Sequence, residues 1–370
     1  MQNSLAYKLR IARTLIGLST RAVANVLAPR FKISHTTVAN YENGATVPPM
    51  DILMALSTVY DRPINWFLTR SVGLSGVRYR NLHSKTKPSD LLRFEADTQR
   101  WLDAYVALEE RLKKKVTKAT THPSATKFPE PADLAREVRR SLNLSLEEPV
   151  PSVVAVLEQF GIRVVEVPSD LRIDGLAAAY GDSFVVALNP TVSNERARLN
   201  AAHELAHVLY GDCHAESESP EIEKRAYAFG SNFLIPNSQL KNAFEGFSIV
   251  RMIQFKERFG ISLASMVYRA EQLGFISKGV AKSLWTEFSK RGWRTQEPGT
   301  VRPDRATRLE QLMDEGILSN QMSIKEVAEI CGVRPSDVRS RLNAAMGMSD
   351  SESEEPETIS FTEGFDRAKS

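Results

Sequence analysis

At 370 residues, 42% hydrophobic and 25% charged, the chain has the make-up of a soluble globular protein of two to three domains. Its two cysteines, Cys213 and Cys331, exclude a disulfide framework, and no apolar run approaches the roughly 20 residues of a membrane span. The net charge of +3 is unevenly spread: residues 1–70 hold eight Lys/Arg against three Asp/Glu, and residues 349–370 hold two against seven.

A basic head suits a polyanion, whereas the acidic Ser/Glu tail at 349–370 reads as disordered and solvated. Met1-Gln2-Asn3-Ser4 leads directly into an amphipathic pattern instead of a signal peptide, so a cytoplasmic location is expected. Leu5, Leu9, Ala12 and Ile16 recur at helical spacing until Gly17 interrupts them. Ser19 or Thr20 can cap a second helix through Val23 and Val26. Ser34 can cap a third, His35 to Asn43, with Gly44 as its C-terminal stop. A fourth runs from about Pro49 to Tyr60, with proline in its first turn, and Trp66-Phe67 closes the small core.

Residues 89–115 carry a long amphipathic helix pattern ending in Lys113-Lys114-Lys115, lysines that complement a helix C-terminus. Thr117 to Pro131 reads as a linker, rich in Thr, Pro, Ser and Lys. Two helices follow, at about 131–142 and 149–160, then the β-rich run Ile162–Val167. Asp174-Gly175 and Gly181-Asp182 are turn signals around Leu176–Tyr180, and Phe184–Leu188 is another apolar run. A small, mostly antiparallel sheet is expected. A helix then starts near Ser193 or Asn194, and residues 221–291 are again helical in pattern.

That helix contains His203-Glu204-Leu205-Ala206-His207. Residues four apart stack on one helical face, so both imidazoles can address one ion, with Zn–N bonds of about 2.0–2.1 Å. Glu204 can reach a water held there and act as general base. The flanking Ala201, Ala202, Leu205, Ala206, Val208 and Leu209 suit a buried helix. A catalytic zinc needs a third protein ligand and an open position; Asp212, Cys213, His214, Glu216, Glu218, Glu221 and Glu223 are candidates. A closed structural site using Cys213 and His214 is the rival arrangement, and it leaves Glu204 without a task.

The run Arg198–His207, followed by Glu223-Lys224-Arg225-Ala226-Tyr227-Ala228-Phe229 through Pro236, resembles the ImmA/IrrE-type metallopeptidases over about residues 131–296. The second motif of that family matches at Glu223, Ala226, Phe229 and Pro236. The resemblance implies a zincin-like fold, a Zn2+ cofactor, Glu223 as the third ligand beside His203 and His207, and Glu204 as the catalytic base. Tyr227 and Gly230 depart from the usual Asn/Asp and Ala.

Residues 5–68 resemble an XRE-type (Cro/repressor-like) helix-turn-helix module. The carrying residues are Ser34 to Gly44, with Tyr41-Glu42-Asn43-Gly44 as the aromatic-Glu-x-Gly ending. Val38 and Tyr41 pack inward in this reading. Ser34, His35, Thr36, Thr37 and Asn40 are then candidate contacts to double-stranded DNA, with Arg21, Arg30 and Lys32 on the phosphates. The link Leu27–Ile33 is longer than the usual tight turn. A module used only for packing or dimerisation is the alternative.

Further on, Ser323-Ile324-Lys325-Glu326 is a capping box that opens a second helix-turn-helix-like pattern, open to a DNA contact or to a closing or dimerisation role. The expected architecture is mainly α with a small antiparallel sheet (α+β). Its parts are a DNA-binding head at 1–70, a connecting helix and linker at 71–130, a peptidase domain at 131–296, a C-terminal helical region at 297–348 and the acidic tail.

Together the resemblances imply a DNA-binding regulator whose zinc endopeptidase cleaves a repressor-type transcription factor in stress, prophage or mobile-element control. Repressor heads usually read two half-sites, so a homodimer is expected. The competing readings are a regulator whose metallopeptidase-like domain is a non-cleaving sensor or dimerisation scaffold, and an antitoxin.

Overall fold

A computed structural model describes residues 4–62, 64–68, 72–81, 86–115, 123–169, 173–212 and 219–347. The acidic tail, part of the expected linker, and Cys213, His214, Glu216 and Glu218 lie outside the described residues. The chain divides into two compact units, Met1–Leu309 and Glu310–Ser370. It is mainly helical, with one small sheet.

The first unit opens with five helices: α1 (Ser4–Leu15), α2 (Thr20–Leu27), α3 (His35–Glu42), α4 (Met50–Val59) and α5 (Ile64–Leu68). Ser19 and Ser34 accept from the backbone N–H of Ala22 and Thr37, so each satisfies an otherwise orphaned donor at its helix start. Leu9, Ala12, Val23, Leu27, Val38, Tyr41, Leu53, Leu56, Tyr60 and Phe67 form their common core. The long link between α2 and α3 is pinned by Phe31 and Ile33, which pack on that core.

Next comes a strand, β1 (Ser75–Asn81), inside what reads as a connector. Only Val77 and Tyr79 interrupt its polar residues, so no apolar run announces it. The long helix α6 (Pro88–Leu112) ends at Lys113, which takes the left-handed conformation. After it come α7 (Pro131–Ser141), α8 (Val153–Gln159), β2 (Ile162–Glu166), β3 (Ile173–Tyr180) and β4 (Ser183–Leu188).

The sheet order is β1-β3-β4-β2. Pairings β1/β3 and β3/β4 are antiparallel, but β2/β4 is parallel. The sheet is therefore mixed but mostly antiparallel, as expected, with two of its three pairings antiparallel: β1 occupies the second edge of β3, leaving β2 to pair with β4. Gly181-Asp182 makes the β3–β4 turn as its pattern predicts. Asp174-Gly175, expected as a turn, lies inside β3. A Cβ at Gly175 would stand 2.6 Å from the Ala187 carbonyl oxygen, so the glycine permits close strand approach.

On the sheet lies α9 (Asn194–Tyr210), followed by α10 (Pro220–Leu234) packed along it, then α11 (Asn237–Ala243), a 3-10 turn (Glu245–Phe247), α12 (Ile249–Phe259), α13 (Leu263–Gln272) and α14 (Lys278–Lys290). Buried Arg198 on α9 donates to the Val150 carbonyl (2.6 Å) and to Asp304 (2.8 Å), which fixes the helix against the segment beyond α14. Phe229, Phe233, Leu205 and Ala202 join one core with β4 and α8.

The second unit comprises most of α15 (Arg308–Leu318), with α16 (Ile324–Cys331) and α17 (Pro335–Ala345). The capping box Ser323/Glu326 is formed, and Gly332 ends α16 at φ 62°. Leu312, Val327, Ala328, Val338 and Leu342 make its core, and Arg341 pairs with Asp314.

Candidate functional site

α9 is buried from Arg198 to Leu209. Besides the paired Arg198, its buried ionisable side chains are His203, Glu204 and His207, each no more than 2% exposed. Burying three ionisable groups on one helix is costly unless partners or a metal compensate.

α10 runs along α9 and supplies Glu223 from its first turn. The close approach depends on Gly230, where an added Cβ would meet the His203 backbone nitrogen at 3.2 Å and the Ala202 carbonyl carbon at 3.3 Å. His203 Nε2 lies 3.1 Å from Glu223 Oε2, His207 Nε2 lies 3.4 Å from Glu223 Oε1, and the two Nε2 atoms are 3.0 Å apart. These three residues are the metal-ligand group found among the described residues.

Four ligands placed tetrahedrally at about 2.0–2.1 Å from zinc stand roughly 3.3 Å apart. The observed spacings straddle that value, and a donor set of two imidazoles and one carboxylate suits zinc with one position left open. The residues present thus fit the ion.

Asp212 is an alternative to Glu223 by sequence, but it points elsewhere. Its Oδ2 lies 3.0 Å from His207 Nδ1, and its Oδ1 accepts from Arg225 Nη2 at 2.7 Å. A proton on Nδ1 leaves the Nε2 lone pair facing the ligand cluster, so Asp212 orients His207 instead of ligating. Glu221 is exposed and outside the cluster. The closed site with Cys213 and His214 requires residues outside those described.

The electrostatics separate the groups. Burial drives the His203 imidazole down to about 3, which keeps it neutral. Burial also opposes charge on His207, but hydrogen bonds to Asp212 and Glu223 outweigh it and lift that group to about 9. Glu223 resists burial through its hydrogen bonds with both histidines and is held well below the usual carboxylate range. Burial raises Glu204 to about 7, and its Oε2 has no hydrogen-bond partner. A carboxyl balanced near neutrality can take and return a proton.

In the head, His35 and Thr36 are exposed at the start of α3, with Thr37 and Asn40 half-buried. The Ser34 hydroxyl caps the helix and lies 3.0 Å from Thr37 Oγ1. Arg21 and Lys32 are exposed, and Arg30 stacks over Phe31 at 5.3 Å. The module is held by an ion pair that motif reading did not supply: Arg13 Nε and Nη2 donate to the two oxygens of buried Glu42, at 2.6 and 2.8 Å. The signal was the Glu of Tyr41-Glu42-Asn43-Gly44, whose partner is 29 residues away.

Comparison with known families matches two segments. The family model described as helix-turn-helix covers residues 9–67. The peptidase-family model described as the IrrE N-terminal-like domain covers residues 157–271. Searches of curated proteins and of solved structures gave no match. Among the described residues, no helix is long and apolar enough to cross a membrane. β1 and α6 belong to neither matched segment.

Proposed function

We propose that this chain, which joins an XRE-type DNA-binding helix-turn-helix to an IrrE/ImmA-like peptidase-family domain, is a cytoplasmic transcriptional regulator and a zinc-dependent endopeptidase. Its substrate in this reading is a repressor-type transcription factor bound at the same operator, or another copy of the chain in a homodimer. The carrying observation is the convergence of His203, His207 and Glu223 beside a buried carboxyl, Glu204, poised near neutrality.

His203 Nε2, His207 Nε2 and a Glu223 oxygen hold the ion, and Asp212 keeps His207 in the ligating tautomer. Bound zinc supplies Lewis acidity, making water easier to deprotonate and a carbonyl easier to attack. Glu204 accepts the proton of the attacking water and returns it to the departing amide nitrogen. Helix α3 enters the major groove, with His35, Thr36 and Asn40 at base edges and Ser34 and Thr37 near its N-terminus. Arg21 and Lys32 bind phosphates.

The test incubates zinc-loaded full-length protein with repressor-type transcription factors, including itself, and maps cleavage by mass spectrometry. Wild type should cut and Glu204→Gln should not. Equal behaviour of the two would remove the peptidase reading. If Glu204→Gln also left regulation intact while Asn40→Ala abolished it, the domain would be a non-cleaving scaffold.

A further inference from the structure

β1 carries arginines at positions 78 and 80, and side chains alternate across a strand. Between them, the Tyr79 hydroxyl donates to Glu95 Oε2 on α6 at 2.9 Å. On the opposite face, Arg78 Nε donates to the Asp212 carbonyl just beyond α9, at 3.1 Å. Arg80 shares the face of Arg78 and therefore looks towards α9.

The register sets Arg80 opposite Gly175, a residue with no side chain to occupy the space. Its cationic charge acts on His203 and Glu204 of α9 and on Tyr227 of α10. Arg80 is therefore within electrostatic reach of the ligand cluster and of Glu204.

Arg80 Nε is buried without a hydrogen-bond partner. Three carboxylates around the cluster are occupied: Asp174 pairs with Arg196 at 2.7 Å, Asp212 holds His207 and Arg225, and Glu223 faces the histidines, whereas Glu204 Oε2 has no hydrogen-bond partner. Among the described residues, Arg80 has no acidic partner. A buried guanidinium nitrogen left unpaired is costly, and an anionic oxygen is its natural complement.

We propose that Arg80 receives the carbonyl oxygen of the peptide bond under attack and holds it as it becomes an oxyanion. This rests on the hydrolytic reading above. As the water oxygen bonds to the carbonyl carbon, the C=O π pair moves onto the oxygen facing Arg80 and the water proton passes to Glu204. The oxyanion then re-forms the carbonyl, the C–N bond breaks, and the nitrogen takes the proton from Glu204. A preorganised donor aimed at that oxygen gives about 10²–10³-fold in kcat. The group comes from neither family-matched segment, so the strand between the two modules completes the site.

The experiment compares zinc-loaded full-length wild type, Arg80→Lys, Arg80→Gln and Glu204→Gln. A proteome-derived peptide library is digested and read by mass spectrometry, and the best-cleaved peptide is followed over a range of concentrations. Inorganic phosphate, a tetrahedral anion, is titrated calorimetrically into each protein. Arg80→Gln should lower kcat about 10²–10³-fold, change KM only a few-fold, and bind phosphate about tenfold or more weakly. Arg80→Lys should recover part of both, and zinc content and melting should match wild type.

Unchanged kcat and phosphate affinity in Arg80→Gln would overturn the assignment. So would a loss confined to peptides with Asp or Glu beside the cleaved bond, which would make Arg80 a side-chain pocket. Equal loss of zinc in both variants would reduce it to a structural role. If wild type cleaves nothing beyond Glu204→Gln, the hydrolytic reading fails, and phosphate affinity alone decides whether Arg80 is an oxyanion-type site.

Discussion

Asp103→Asn tests how the head is joined to the rest of the first unit. Asp103 lies on α6, where that helix packs against α1. Gln99 Nε2 donates to its Oδ1 at 2.7 Å, and the Tyr7 hydroxyl donates to Gln99 Oε1 at 3.1 Å. Asp103 Oδ2 is buried with no partner. Burial pushes the carboxyl from 3.8 up to about 6, against the opposing pull of the Gln99 hydrogen bond and of Lys8. The folded protein therefore binds more protons than the unfolded chain between those two values. Its stability falls as pH rises from about 4 to 6 and stays lower above that. The displacement corresponds to about 3 kcal/mol. Asparagine keeps the acceptor for Gln99 and removes the charge. At about pH 7.5 the variant should be the more stable protein by on the order of 3 kcal/mol, and at about pH 4 the difference should vanish. Urea unfolding at both pH values, followed by fluorescence of Trp66 and Trp101, measures it. A variant less stable at neutral pH, or a difference that does not change with pH, would refute the argument.

Asp212→Ala should weaken zinc binding about 10–100-fold in a chelator competition, because His207 loses the acceptor that fixes its tautomer. Glu42→Ala strands the Arg13 guanidinium inside the head and should cost about 3 kcal/mol; circular dichroism melts would show it, and Glu42→Gln should lose less. Gly230→Val pushes α10 away from the α9 backbone and should cost about 1–3 kcal/mol. Zinc affinity should fall with it because Glu223 rides on α10; unchanged stability would mean the two helices can separate freely.

Local rules carried much of the fold. Ser19, Ser34 and Ser323 cap the helices that their positions announce, and Gly181-Asp182 turns the hairpin. Such features depend on a few neighbouring residues, so they survive without knowledge of the rest. Asp174-Gly175 misled for the same reason: a turn-like dipeptide serves a strand once another strand's carbonyl must come close. β1 is hidden because its arginines break the apolar alternation, and the carbonyl that Arg78 meets lies more than a hundred residues later, just beyond α9.

The sequence by itself determined that His203 and His207 share a helical face, since that follows from the pitch of one helix, and it offered Glu223 through motif resemblance. Tertiary structure decided that Asp212 orients His207 while Glu223 converges on both imidazoles, because that choice rests on how α10 packs on α9. It also set the strand between the modules on the edge of β3, with Arg80 opposite Gly175 and its charge acting on Glu204. Spacing along a chain fixes which residues can share an element; only the packing of elements fixes which charges must share a buried space.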